Sequence, residues 1–308
     1  MNAVPEEKEG DRADHLRGAA KMLNEHYPLC LGISGVIEGD LPIGGRSSSA
    51  AVIIAFLSAL CKVNNIQLTK HEMIMTAKAA ENEYVGVSCG KLDQSCEIFC
   101  KKSQLLYLDT KDDTYVLIPT NPAMKPYTYK IAIFFSGVER SLASSKYNMR
   151  VDECKSAAYA LQAFAGIEYG KYENVRLRDV PVEIFEQYKG KLPEQWRKRA
   201  QHYYTEEARV KAGAEAWRRG DLEEYGRLSF ESGSDELIAL YIILCKTPGI
   251  YGGRFSGAGF KGCCMALINP DFAEQIAHDV TREYLAAFPQ YTGKFSVHIC
   301  ESAEGAVL

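Results

Sequence analysis

The stretch Leu41-Pro42-Ile43-Gly44-Gly45-Arg46-Ser47-Ser48-Ser49-Ala50-Ala51 sets a Pro/Gly turn and three serines directly ahead of an apolar run from Val52 to Leu60. That order describes a tight loop feeding the first turn of a buried helix. Such a turn carries N–H groups with no partner inside the helix and the positive end of its dipole, and glycines let an anion lie against the backbone. Serine hydroxyls add donors, and an oxygen for a metal ion. Read alone, the segment fits a phosphate site and a plain helix cap about equally. It is not a Walker A loop, which requires Gly-Lys followed by Ser or Thr. A second stretch, from Tyr251-Gly252-Gly253-Arg254-Phe255-Ser256 through Gly257-Ala258-Gly259-Phe260-Lys261-Gly262 to Cys263-Cys264, ends in an apolar run. Gly257, Gly259 and Gly262 satisfy the dinucleotide pattern G-x-G-x-x-G, but that fingerprint closes a strand and opens a helix early in a βαβ unit. Here a strand-like run follows near the end of the chain. Two Gly-rich loops, one before a helix and one between strands, fit a kinase that grips a nucleoside triphosphate from both sides.

The elements that must hold these loops are readable in outline. Asp11 is placed to cap a helix over about 12–25, and 30–38 alternates well enough for a strand. The helix from Ser47 is apolar on every side and is expected to be buried all round. Thr69 with Glu72 forms a capping box for a helix reaching Glu81 and Tyr84. Strands are expected at 105–108, 115–118 and 127–135, helices at 151–165, 194–217, 235–244 and 271–288, and a final strand at 294–300. Pro119, Pro122 and Pro126 mark a connection, which divides the chain into domains at 1–125 and 126–308.

Composition narrows the function. The 308 residues are 46% hydrophobic and 25% charged, enough for two cored domains, with a net charge of -4 and no basic surface for nucleic acid. The ten cysteines show no C-x-x-C spacing and read as reduced residues of a cytoplasmic protein. The six histidines carry no H-x-x-x-H or H-E-x-x-H pattern. The N-terminus is polar and acidic, and no apolar run is long enough for a bilayer, so no membrane partner is expected.

Together the two Gly-rich stretches resemble the second and third motifs of the GHMP kinases, written P-x-G-x-G-L-S-S-S-A and roughly G-x-R-x-S/T-G-x-G-F-x-G-C in the galactokinase branch. The Arg254-Phe255-Ser256-Gly257-Ala258-Gly259-Phe260 wording and the paired cysteines are most similar to galacturonokinases, and the likeness extends to Val297-His298-Ile299-Cys300-Glu301. The resemblance implies a two-domain α+β fold, with a ribosomal-S5-like N-terminal domain and a ferredoxin-like C-terminal domain. It implies transfer of the ATP γ-phosphoryl group to the anomeric hydroxyl of galacturonate or galactose, with Mg²⁺ as cofactor, in a monomer or homodimer.

The same resemblance distributes roles. Gly44, Gly45, Ser47, Ser48 and Ser49 would cradle the phosphates, and Ser49 and Glu81 would hold Mg²⁺. Within Gly86-Val87-Ser88-Cys89-Gly90-Lys91-Leu92-Asp93-Gln94-Ser95, Asp93 would receive the proton of the anomeric hydroxyl or orient it. Tyr147, Gly257, Ala258 and Gly259 would face the sugar. Without the resemblance, Asp93 reads as a helix-starting Asp, Glu81 as a solvated helix carboxylate and Tyr147 as an aromatic packed at a helix start. Lys91 or Arg46 is placed to pair with a C6 carboxylate.

Three features depart from the family pattern. Nothing before Leu41 resembles its first motif, G-R-x-N-x-x-G-E-H, so the chain is expected to begin after it, with an N-terminal sheet short of edge strands. The second motif is one residue shorter and has Arg46 where Leu is usual. Phe230-Glu231-Ser232-Gly233-Ser234-Asp235 runs straight into a helix where galacturonokinases have an additional Ser-rich segment. These departures support a competing expectation: a truncated or degenerate kinase fold that binds nucleotide or a partner without turnover.

Overall fold

Two helix starts in this chain, at Thr69 and Asp221, are set by side chains that meet free N–H groups among the described residues. The computed structural model describes residues 4–39, 41, 47–124, 129–138, 147–168, 170–229, 235–256 and 262–306. Asp14 accepts from the backbone N–H groups of Glu9 (3.0 Å) and Gly10 (2.7 Å), and Asp11 accepts from Ala13 N (2.9 Å). The first helix, α1, therefore spans Asp14–His26, two residues later than a cap at Asp11 implies. After α2 (Ser48–Val63), the capping box is present as expected: Thr69 accepts from Glu72 N (3.2 Å), and Glu72 accepts from Thr69 N (2.7 Å) at the head of α3 (Lys70–Ala79). A π-helical turn, Ala80–Val85, extends α3, and α4 covers Leu92–Phe99.

The chain divides into two compact units, Met1–Ser141 with Ala214–Leu308, and Leu142–Gly213. In the first, α1 to α4 pack around Leu23, Ile53, Leu57, Leu60, Ile74 and Ile98, each 2% exposed or less. Burying such side chains stabilises by about 1.5–3 kcal/mol apiece. Beside them, β1 (Gln104–Leu108) and β2 (Tyr115–Pro119) form an antiparallel hairpin from Gln104↔Pro119 to Leu108↔Tyr115.

The same unit holds a four-stranded antiparallel sheet. Its strands are β3 (Lys130–Phe135), then, beyond the other unit, β4 (Ile250–Phe255), β5 (Cys263–Ile268) and β6 (Ser296–Cys300), in the order β4-β5-β3-β6. Helices Asp235–Lys246 and Ala273–Ala287 fill one face with Leu237, Leu240, Leu244, Val280 and Tyr284 against Phe134 and Ile268. This split β-α-β arrangement is the ferredoxin-like half that the sequence implied.

The second unit contains α5 (Tyr147–Ala165), α6 (Val182–Tyr188) and most of α7 (Glu194–Arg219). Leu161, Leu177, Phe185 and Tyr204 form its core, and the Tyr204 hydroxyl donates to Val180 O at 2.9 Å. The chain then re-enters the first unit, where α8 (Leu222–Leu228) lies against β4 so closely that a Cβ on Gly226 would sit 2.1 Å from Tyr251 O. Gly252 is equally constrained, its own Cβ falling 2.2 Å from Gly226 Cα. Gly226 of α8 and Gly252 of β4 thus serve backbone packing, although the sequence counts Gly252 within a Gly-rich stretch read as gripping a nucleotide. The two long helices of the sheet complete the series as α9 (Asp235–Lys246) and α10 (Ala273–Ala287).

Two expectations change. Residues 30–38 form no strand: Asn64 holds Cys30 N, Leu31 N and Leu31 O (2.8–3.0 Å), but no described strand runs alongside. Alternation assigns faces and does not supply a ladder, so Val36 is 92% exposed and Ile37 59%. The helix α2 is buried on one side only; Ala55 and Val63 on its other side are exposed. Among the described residues, no helix is long and apolar enough to cross a membrane.

Candidate functional site

The first turn of α2 begins at Ser47, which adopts a left-handed φ of 51° and makes no side-chain cap. Its carbonyl accepts from Ala51 N (3.1 Å), so the helix ladder is intact while the Ser47 hydroxyl meets none of the first-turn donors. No acidic residue occupies that turn, and the hydroxyls of Ser47, Ser48 and Ser49 make no hydrogen bond to any described residue. The plain-cap reading of these serines is therefore corrected. What stands there is an uncapped helix N-terminus with half-buried hydroxyls, suited to an anion. Gly44, Gly45 and Arg46 lie outside the described residues.

Packed beside α2 are α3 and α4, which bring a carboxylate site together. Glu81 sits on the π turn after α3, a geometry frequent at functional positions, and is only 7% exposed. Its Oε2 accepts from Gln94 Nε2 of α4 at 2.5 Å and lies 3.5 Å from Cys89 Sγ. The thiol donates to Asn82 Oδ1 at 3.0 Å, and Asn82 Nδ2 donates back to Cys89 O at 3.3 Å. Gly86, with φ 82°, turns the chain so that Val87 N reaches Glu81 O (2.9 Å). Burial first, and the neighbouring Glu81 charge second, push the Cys89 thiol up to about 12, so it remains a protonated donor.

Glu81 is thus not the solvated helix carboxylate that the bare sequence suggests. A buried carboxylate without a cationic partner is costly, and no described Lys, Arg or His pairs with Glu81. Its Oε1 accepts nothing among the described residues, and nearby Gln94 Oε1 and Ser95 Oγ are buried without partners. These orphaned oxygens suit a hard cation. Among the described residues there is no cluster of three or more His, Cys, Asp or Glu able to hold a metal alone. Mg²⁺ does not need one, because it keeps its waters and takes one or two carboxylates plus substrate phosphates.

Asp93 opens α4, is exposed, and makes no hydrogen bond or ion pair with a described residue, leaving both oxygens open to a ligand. Lys91, two residues earlier, is committed elsewhere: its Nζ is 2.6 Å from Asp113 Oδ1, and His71 Nδ1 is 2.8 Å from Asp113 Oδ2. Asp113 lies in the β1–β2 turn with φ 61°. Lys91 is therefore a structural partner of that turn. Sequence reasoning missed Asn82, Cys89, Gln94 and Asp113; only the adjacency of Gln94 to Asp93 hinted at any of them. Tyr147 begins α5, its side chain outside what is described. Gly257, Ala258 and Gly259, and the departure at 230–234, also lie outside the described residues.

The pattern described as "GHMP kinases N terminal domain" matches residues 14–101, and "GHMP kinases C terminal" matches 214–287. The chain is 37% identical to the galacturonokinase of Arabidopsis thaliana, covering 95% of this chain and 72% of that protein. It is 34% identical to the galactokinase of Pyrococcus furiosus, covering 91% and 77% respectively. The crystal structure of Lactococcus lactis galactokinase complexed with galactose superimposes on the fold with a TM-score of 0.84 at 24% identity, over 100% of this chain and 79% of that one. The matched domain patterns and the relatives show that the chain belongs to the GHMP kinases.

Proposed function

We propose that this protein is an ATP-dependent sugar-1-kinase that phosphorylates the anomeric hydroxyl of galacturonate or galactose. The observation that carries the reading is the buried, uncompensated Glu81 carboxylate, held by Gln94 on the helix that presents Asp93. Phosphoryl transfer asks a protein for positioning and charge stabilisation rather than covalent chemistry. The α2 N-terminus, with Gly44, Gly45 and Ser47 to Ser49, binds the phosphates. Ser49 Oγ and Glu81 Oε1 are the oxygens that would hold Mg²⁺, and when bound the ion offsets the phosphate charge. Asp93 orients the sugar hydroxyl or takes its proton, and Tyr147, Gly257, Ala258 and Gly259 face the sugar. The protein works in the cytoplasm as a monomer or homodimer.

ADP release from MgATP, measured against D-galacturonate and D-galactose with Asp93→Asn as control, tests this. Turnover with one sugar that disappears in the variant supports the reading; turnover that persists in Asp93→Asn removes Asp93 from it. A second reading, nucleotide binding without turnover, is favoured by the shortened loop ahead of α2 and by Arg46 within it. It predicts that the chain binds an ATP analogue yet releases no ADP with either sugar.

A further inference from the structure

Gln94 ties Glu81 to α4 with only half of its amide. Nε2 donates to Glu81 Oε2, while Oε1 accepts nothing among the described residues, although Gln94 is 1% exposed. The amide's orientation follows from its partner: turned over, Oε1 would face a carboxylate, acceptor against acceptor. Glu81 thus fixes the donor inward and leaves the acceptor aimed away. Both amide atoms share one carbon, so the free Oε1 lies within a water's reach of the carboxylate that Nε2 holds. A buried carbonyl oxygen with no donor is rare enough to call for a ligand or an ordered water.

We propose that Gln94 is a positioning residue for the cation of this site. Its Nε2 turns Glu81 so that Oε1 is the coordinating oxygen, and its Oε1 accepts a hydrogen from a water in the cation's hydration shell. This rests on the sugar-kinase reading above, in which Glu81 is a ligand. A hydrated divalent ion polarises its waters, and these need acceptors. Groups that orient a ligand from outside the coordination sphere typically change metal affinity about 10–100-fold when removed.

Gln94→Met keeps the length of the side chain and removes both polar atoms. Mn²⁺ binding by electron paramagnetic resonance in the presence of a non-hydrolysable ATP analogue gives a readout independent of turnover. The expected result is Mn²⁺ binding weakened about 10–100-fold, with a matching rise in the Mg²⁺ concentration for half-maximal rate. Analogue binding without metal and the far-UV circular dichroism should be unchanged. A folded Gln94→Met with Mn²⁺ affinity within about two-fold of the parent overturns the proposal, since that lies outside the loss expected of such a group. If that variant does not fold, Gln94→Asn, which keeps the amide but withdraws it by one methylene, must show the same loss; normal affinity there, or failure of both variants to fold, assigns Gln94 a purely structural role. A parent chain that binds no Mn²⁺ with the analogue removes the sugar-kinase reading of the site, and the proposal with it. A parent that binds Mn²⁺ and turns over, alongside an unaffected variant, removes the proposal alone.

Discussion

Lys91 Nζ and Asp113 Oδ1 are 2.6 Å apart, joining the segment ahead of α4 to the β1–β2 turn through side chains that are 12% and 11% exposed. The pair, shared with His71, anchors the start of α4, the helix that carries Asp93. Replacing Lys91 by Met leaves the buried Asp113 oxygens short of a partner, and stability should fall by about 1–3 kcal/mol, less than for a pair left wholly unpaired because His71 stays beside Asp113. Urea unfolding measures this. Because Lys91 is occupied by Asp113, the ratio of galacturonate to galactose turnover should stay unchanged, and a selective loss of galacturonate activity would return Lys91 to the substrate.

Asp93 has no described partner, so its removal should cost chemistry rather than folding. Asp93→Asn is expected to lower turnover by roughly 10²- to 10⁴-fold, the usual range for a positioned acid or base. Its thermal midpoint and its affinity for an ATP analogue should match the parent. A large drop in stability would show that Asp93 serves the helix start instead.

Cys89 offers a pH test. Its thiol, near 9.0 in an unfolded chain, is pushed up to about 12 by burial and by Glu81. A group whose pKa rises on folding contributes stability that is complete below its unfolded value and is lost as pH climbs toward the folded one. Stability should therefore decline between about pH 9 and 12 through this residue, and Cys89→Ala should flatten that slope. In iodoacetamide labelling at pH 8 followed by peptide mass spectrometry, exposed Cys30 and Cys245 should react well before Cys89. Early labelling of Cys89 would mean that its bond to Asn82 does not persist in solution.

Gly226 reverses an ordinary rule. Gly→Ala inside a helix usually stabilises by about 0.5–1 kcal/mol. Here the added Cβ would fall 2.1 Å from Tyr251 O, which is backbone and cannot rotate aside. Gly226→Ala should destabilise by about 1–3 kcal/mol through overpacking of α8 on β4, and a stabilised variant in urea unfolding would contradict the close approach.

What the sequence determined by itself is what neighbouring residues enforce on one another. Thr69 and Glu72 cap α3 because a hydroxyl and a carboxylate three positions apart can reach each other's N–H. Ser47 to Ser49 ahead of an apolar run mark the α2 start, and the helical pattern of 271–288 gives α10, with Ile276, Val280 and Tyr284 on its buried side, since both signals are local. The motif spellings carried the family, and with it the expectation for Asp93 and Glu81. Tertiary structure alone decided the environment of those residues. Glu81 is buried because the π turn and the Gly86 bend fold 86–91 back over it, and because Gln94 arrives from another helix. Lys91 meets Asp113 across a hairpin 22 positions later, a partnership no spacing rule encodes. The alternation at 30–38 failed as a strand for the same reason: a strand exists only where a second backbone offers its N–H and C=O groups, and that partner is a property of the fold rather than of the segment.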